Sequence, residues 1–164
     1  MRQLTVKLLS GDRIDQAYPL VQAALPQVGL EQWRAFARAQ IAGNPETSGI
    51  QSVLTEQDYV AGLSVYRVDN DLCHGPTLTA DHFMALDLFS RTAVIHALAD
   101  FLEDLARRHG CGAVHTHVAE RADRWDGPTD CMASVLCERG HVVKSLRLCK
   151  LVEQGPQPAQ SAGV

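Results

Sequence analysis

The stretch 86–110 constrains this chain more than any other. Ile95, Leu98, Ala99, Leu102, Leu105 and Ala106 recur at helical spacing, which lays one apolar stripe along a helix over 92–109. Gly110 supplies the residue that most easily takes the left-handed conformation ending such a helix. A turn that feeds a helix start can hold the phosphates of a nucleotide-type ligand, yet this one lacks the glycines usual in that role.

Periodicity orders the rest. Leu4, Val6 and Leu8 alternate as a strand, and Ser10-Gly11-Asp12 then offers a turn and an N-cap. Helices are expected over 13–25, with Ile14, Ala17, Leu20, Val21 and Ala24 on one face, and over 30–42, with Trp33, Phe36, Ala37 and Ile41 inward. The runs 50–55 and 59–68 read as a hairpin around Glu56-Gln57-Asp58, 69–76 as a loop, and 78–88 as the start of another strand. After the long helix, 113–119 alternates as a buried strand, 121–130 is a polar loop, and 129–139 holds a short helix ended by Gly140. A last strand or strand pair is expected over 141–152.

With 164 residues, of which 46% are hydrophobic, the chain buries one substantial core and is too short for two. One domain over 1–153 is therefore expected, followed by a disordered tail over 154–164 rich in Gln, Pro, Gly, Ala and Ser. A formal net charge of −4 gives no long-range attraction for phosphate backbones, and basic pairs such as Arg107-Arg108 are short, so no nucleic-acid partner is expected. No segment is apolar for long enough to span a membrane, and the N-terminus does not read as a signal peptide. Cys73, Cys111, Cys131, Cys137 and Cys149 show no paired spacing and read as reduced thiols of a cytoplasmic protein, with Cys137 expected to be buried and inert.

The order β-α-α-β-β-β-α-β-α-β is more specific than any one element in it. Over roughly residues 60–152 the chain resembles the GNAT superfamily of N-acetyltransferases. An Asp-Asp-Leu strand core, a Gln/Arg-x-x-Gly-x-Gly/Ala cofactor loop and an Ala-Leu-Leu helix of one bacterial branch fall on Asp81-His82-Phe83, on Ser90-Arg91-Thr92-Ala93-Val94-Ile95 and on Ala97-Leu98-Ala99. Tyr66-Arg67-Val68, Gly110-Cys111 and His115 match further, and the closing Leu-Tyr-x-x-x-Gly-Phe region looks like Val135-Leu136-Cys137-Glu138-Arg139-Gly140-His141. The resemblance implies an α/β fold whose mixed central sheet has about six to seven strands flanked by about four helices.

It also implies acetyl-CoA as co-substrate. Ser90, Arg91, Thr92, Ala93, Val94 and Ile95 would hold pyrophosphate over the helix start, where unpaired N–H groups and the helix dipole favour anions. Met84 and Ala85 would pair with pantetheine through their main chain. Asp81 and His82 are the candidate catalytic groups, one or the other acting on the amine through water. The chain departs from the family at Ser90, Ala93 and Ile95, where Gln/Arg, Gly and Gly/Ala stand, and at Leu136, where a proton-donating tyrosine is common.

His115-Thr116-His117 places two imidazoles on one strand face, but neither CxxC nor HExxH accompanies them, so no metal site is expected. Two readings stay open. One is an N-acetyltransferase acting on a small-molecule or protein amine. The other is a catalytically degenerate GNAT-like binding or regulatory module, in which a homodimer would form through the final strands.

Overall fold

The computed structural model describes residues 3–86, 90–118, 132–145 and 149–151. The chain runs through β1 (Thr5–Leu8), a short 3-10 turn (Gly11–Arg13), α1 (Ile14–Ala24), α2 (Leu30–Ile41), β2 (Ser48–Leu54), β3 (Val60–Asp71), β4 (Gly75–Ala85), α3 (Arg91–Arg108), β5 (Ala113–Val118) and α4 (Met132–Glu138). The strands form one five-stranded sheet in the order β1-β2-β3-β4-β5. Neighbours are antiparallel up to β4, whereas β5 pairs with β4 in parallel. That parallel pair requires a crossover, which α3 provides.

The two helical layers follow from the periodic stripes. Ile14, Ala17, Leu20 and Val21 of α1 join Trp33 and Ala37 of α2 over Ile50, Leu63, Val65 and Met84 on one side of the sheet. On the other side, Ile95, Leu98, Ala99, Leu102 and Leu105 of α3 pack with Val135 and Leu136 of α4 over Tyr66, Leu78, Ala80 and Phe83. Buried Trp33 Nε1 donates to the Ile14 carbonyl at 2.7 Å, and Arg34 bridges to Asp15 at 2.6 and 2.8 Å, so α1 and α2 are tied as a pair. Arg139, just past α4, donates to Asp100 and Glu103 of α3 at 2.5 and 2.8 Å.

The long helix begins and ends within a residue of the expected positions, and Gly110 takes φ +63. Two expectations change. The stretch 69–76 is not an open loop: β3 and β4 stay paired to Asp71↔Gly75, leaving only Leu72, Cys73 and His74 in the turn. Cross-strand pairing overrides the low strand propensity of the Asp and Asn residues there. Residues 141–145 and 149–151 contain no strand, so the described sheet has five strands where about six to seven are expected. The 121–130 segment and the tail from 154 lie outside the described residues.

Candidate active site

A single extra residue in β4 shapes the site. On the β3 side, Leu63 faces Met84 and Val65 faces Asp81, so Ser64 alone opposes His82 and Phe83. On the β5 side, Ala80 faces Thr116 and Phe83 faces Val118, so His117 alone opposes Asp81 and His82. Two residues against one is a β-bulge, and His82 takes φ +51 within it. A left-handed non-glycine residue costs about 1 kcal/mol, which the pairing on both sides sustains.

Strict alternation would send Asp81 and His82 to opposite faces. The bulge breaks that alternation. Ala80 before it and Phe83 after it both enter the core under α3, while the side chains between them turn to the other face. His82 meets Phe36 of α2 edge-on, with ring centroids 5.5 Å apart at 84°. Asp81 instead lies between strands, hydrogen-bonded by Arg67 of β3 through one oxygen and by His117 Nδ1 of β5 through the other. Arg67 Nε also reaches Asp69 at 2.6 Å.

Burial works against the charge on Asp81, but the hydrogen bonds from His117 and Arg67 outweigh it and hold the carboxyl below its ordinary value. An ionised carboxylate only accepts hydrogen bonds, so the proton of this pair sits on His117 Nδ1. In the neutral imidazole the Nε2 lone pair is then open. The His117 side chain is 41% exposed and that of Asp81 15%, so the histidine is the member that solvent or a substrate reaches.

Beside the bulge is a cavity of about 140 Å³ between α1, α2 and the sheet, walled by Val21, Leu25, Trp33, Phe36, Leu63, Val65 and Met84, with His82 and Gln32 as polar members. Its walls come from the apolar stripes of the two helices and from the face of β3 and β4 that they cover.

The expected cofactor residues lie at the end of β4 and the start of α3. Met84 is buried against the α1 and α2 layer and pairs with Leu63; Ala85 pairs with Gly62. Leu86 N–H donates to the Ala61 carbonyl at 2.9 Å. Antiparallel pairs alternate between bonded and non-bonded, so the main chain of Met84, like that of Leu86, faces β3, and that of Ala85 faces the β5 side. The last described β4–β5 pair is Phe83↔Val118, and Met84 and Ala85 lie beyond it.

At the helix start, exposed Ser90 is the N-cap: its Oγ accepts the Ala93 N–H at 3.3 Å and its carbonyl accepts the Val94 N–H at 3.2 Å. Arg91 and Thr92 occupy the first helical positions, and no acidic residue stands in the first turn. Ile95 is 1% exposed, with its side chain in the core under α3, so its bulk stays off the outer side of the helix start. Val94 packs onto β3 at Gly62, where a Cβ would overlap Val94 Cγ1 and lie 3.2 Å from Leu98 Cδ1.

Two further expectations are settled by burial. Leu136 is 3% exposed in the α3–α4 core and has no proton to give. Cys137, expected to be buried, is exposed at the end of α4, as are Cys73 and Cys149. His115 and His117 share a strand face as the spacing implies, but they have different neighbours: Asp81 for His117, and the His74 ring, 5.3 Å away, for His115. Sequence offers His117 only as half of a His-x-His pair and Arg67 only within the Tyr66-Arg67-Val68 match, and gives neither a place beside Asp81. Their signal is the step from Leu78 and Ala80 to Phe83, a break in apolar alternation that marks the bulge joining them.

Among the described residues, no helix is long and apolar enough to cross a membrane. No family model and no curated protein sequence matches the chain. Among solved structures, it is similar to an aminoglycoside N-acetyltransferase in complex with CoA, with a TM-score of 0.71 over 94% of this chain and 97% of that one, at 9% identity. Glucosamine-6-phosphate N-acetyltransferase from Arabidopsis thaliana is similar at a TM-score of 0.65, with 14% identity over 92% of this chain and 99% of that one. Ribosomal-protein-alanine N-acetyltransferase from Brucella melitensis biovar Abortus 2308 follows at 0.63, with 13% identity over 92% and 100%.

Proposed function

Because the chain carries the GNAT fold, we propose that it is an N-acetyltransferase that moves the acetyl group of acetyl-CoA to an amine. The observation that carries this reading is the bulge at Asp81 and His82, which joins a carboxylate-oriented histidine to the end of β4 next to the start of α3.

The residues at the start of α3 suit an anionic cofactor. The first turn holds Arg91 and no acidic residue, and exposed Ser90 accepts the Ala93 N–H while its own O–H is available to donate to a phosphate oxygen. Ser90, Arg91, Thr92 and Ala93 would hold the diphosphate, with Val94 and Ile95 fixing the helix start to the sheet from beneath. The Ala85 main chain, directed away from β3, is the better partner for the pantetheine arm, and Met84 positions it. When bound, acetyl-CoA would supply the acetyl group, carried as a thioester whose C–S bond breaks as the amide bond forms and whose sulfur leaves as the CoA thiolate.

Asp81 is a positioning residue in this scheme. It fixes the His117 ring with Nδ1 protonated, so that Nε2 takes a proton from the attacking amine, directly or through water. Arg67 keeps Asp81 ionised and immobile. His82 borders the cavity under α1 and α2, which supports an acceptor whose amine is attached to an apolar body.

Calorimetry with acetyl-CoA and with free CoA tests the reading. Micromolar binding of both, followed by acetyl transfer to apolar primary amines, is the expected result. The absence of heat at millimolar ligand would overturn it and leave the alternative, a GNAT-shaped binding or regulatory module. The burial of Leu136 in place of a proton donor favours that alternative.

A further inference from the structure

At the far end of β4 from the bulge lies a second cluster that acetyl transfer does not use. In the β3–β4 turn, Asp71 Oδ1 accepts the N–H groups of Cys73 and His74, each at 2.9 Å, and contacts His74 Nδ1 at 3.0 Å. His115, near the start of β5, sets its ring edge-on to that of His74 at 80°. One ligand atom from each of Asp71, His74 and His115 lies within 4.8 Å of the other two.

Backbone packing holds these groups in place. Gly112 N–H donates to the Pro76 carbonyl at 2.8 Å, and a Cβ on Gly112 would lie 2.8 Å from the His74 carbonyl oxygen. The turn and the chain entering β5 are therefore pressed together with no side chain between them. The three donors are gathered before any ion arrives, which lowers the ordering cost of binding one.

We propose that Asp71, His74 and His115 bind a divalent transition-metal ion of the zinc type. Two imidazole nitrogens and one carboxylate oxygen suit zinc, cobalt or nickel; calcium and magnesium need more oxygen donors than the cluster holds. Tetrahedral zinc bonds of about 2.1 Å place ligand atoms about 3.4 Å apart, so from separations within 4.8 Å His115 has to move in by no more than about 1.4 Å. The half-exposed turn permits that adjustment. The N–H groups on Asp71 Oδ1 orient the carboxylate as outer partners do in established metal sites. The bound ion would clip the β3–β4 turn to β5 and raise stability by mass action. The His-x-His pair thus divides its labour: His117 serves Asp81 and His115 the metal.

Titrating the EDTA-treated full chain with Co²⁺ is expected to develop a visible d–d spectrum of low coordination number that saturates at an equimolar ratio. Zn²⁺ should abolish that spectrum and raise the melting temperature. His74→Ala and His115→Ala are expected to lose both effects while melting like the parent in EDTA. If either variant melts lower, Asp71→Asn, which keeps an acceptor for the turn, should show the same loss of metal binding. Cys73→Ser, the control for the neighbouring exposed thiol, should retain both effects. A cobalt spectrum that stays that of the hexaaquo ion would overturn the proposal, as would binding that survives the histidine variants or disappears with Cys73→Ser.

Discussion

His117 donates its Nδ1–H to Asp81 across the β4–β5 ladder, so a partly buried carboxylate on β4 orients the imidazole of the strand that lies parallel to it. Arg67, from the antiparallel neighbour β3, holds the other oxygen. The carboxylate is gripped from both sides of its own strand. The extra residue in β4 makes this possible, because it turns Asp81 and His82 to one face while Ala80 and Phe83 keep to the core.

Asp81→Asn should separate orientation from binding. An Asn amide can donate to His117 Nδ1 and so favours the tautomer that leaves Nε2 protonated and unable to accept. The turnover number is expected to fall by about 10²–10⁴-fold, the range for losing a general base or its correct tautomer. KM for acetyl-CoA should stay near the parent value. Arg67→Met, which leaves the bond to His117 in place, should cost less. Steady-state kinetics on the three proteins checks the order, and equal losses in both variants would remove Asp81 from its positioning role.

The same bonds set a pH dependence of stability. The folded carboxyl of Asp81 lies below the unfolded value near 3.8. In that window the unfolded chain binds more protons than the native one, so stability rises with pH. The contribution is fully present above the unfolded value and is lost as pH falls through the folded one. Asp12, Asp15, Asp58 and Asp71 are also lowered, so the parent's acid limb is shared. Urea unfolding between about pH 2 and pH 5 should give a shallower acid limb for Asp81→Asn than for the parent.

Gly62 is where the start of α3 presses onto the sheet. Gly62→Ala would drive a Cβ into Val94 Cγ1 and close to Leu98 Cδ1. Overpacking of this kind costs about 1–3 kcal/mol, several degrees of melting temperature. Because the clash is with one methyl group, Val94→Ala in the Gly62→Ala background should recover part of the loss. A double-mutant cycle measures that recovery, and strict additivity would mean that the two residues do not meet.

Much of this architecture was legible in the chain. The helices were readable because their stripes must face a sheet: Ile95, Leu98 and Leu102 lie where their spacing puts them, as do Ile14, Ala17 and Leu20. The β3–β4 turn was not, since Asp69, Asn70 and Asp71 have low strand propensity and are paired only because β4 meets them. The site was half legible. Asp81 stood out as a carboxylate on a strand, but its two partners come from strands 14 and 36 residues away in sequence, and no local pattern reports such a pairing. Burial was the least readable quantity, as Cys137 illustrates: the last turn of a short helix exposes a residue of a type usually found inside.

Ser90 gives the sharpest test of the proposed cofactor end of the site. Its Oγ accepts the Ala93 N–H at 3.3 Å while its own O–H stays available, so one hydroxyl can cap the helix and donate to a phosphate oxygen. Ser90→Ala removes both roles. Losing the cap costs about 0.5–2 kcal/mol of stability, read as a lower melting temperature. Losing a donor to a charged phosphate oxygen costs about 1.5–3 kcal/mol of binding, a rise in Kd of about 10- to 150-fold. The rise should be equal for CoA and acetyl-CoA, because in the proposed reading the helix start would hold the end of the cofactor remote from the acetyl group. Ser90→Thr, which keeps the hydroxyl, should restore affinity. Calorimetry on the three proteins decides the matter: a Kd unchanged in Ser90→Ala alongside a lowered melting temperature would make Ser90 a cap alone and move the phosphate away from the start of α3.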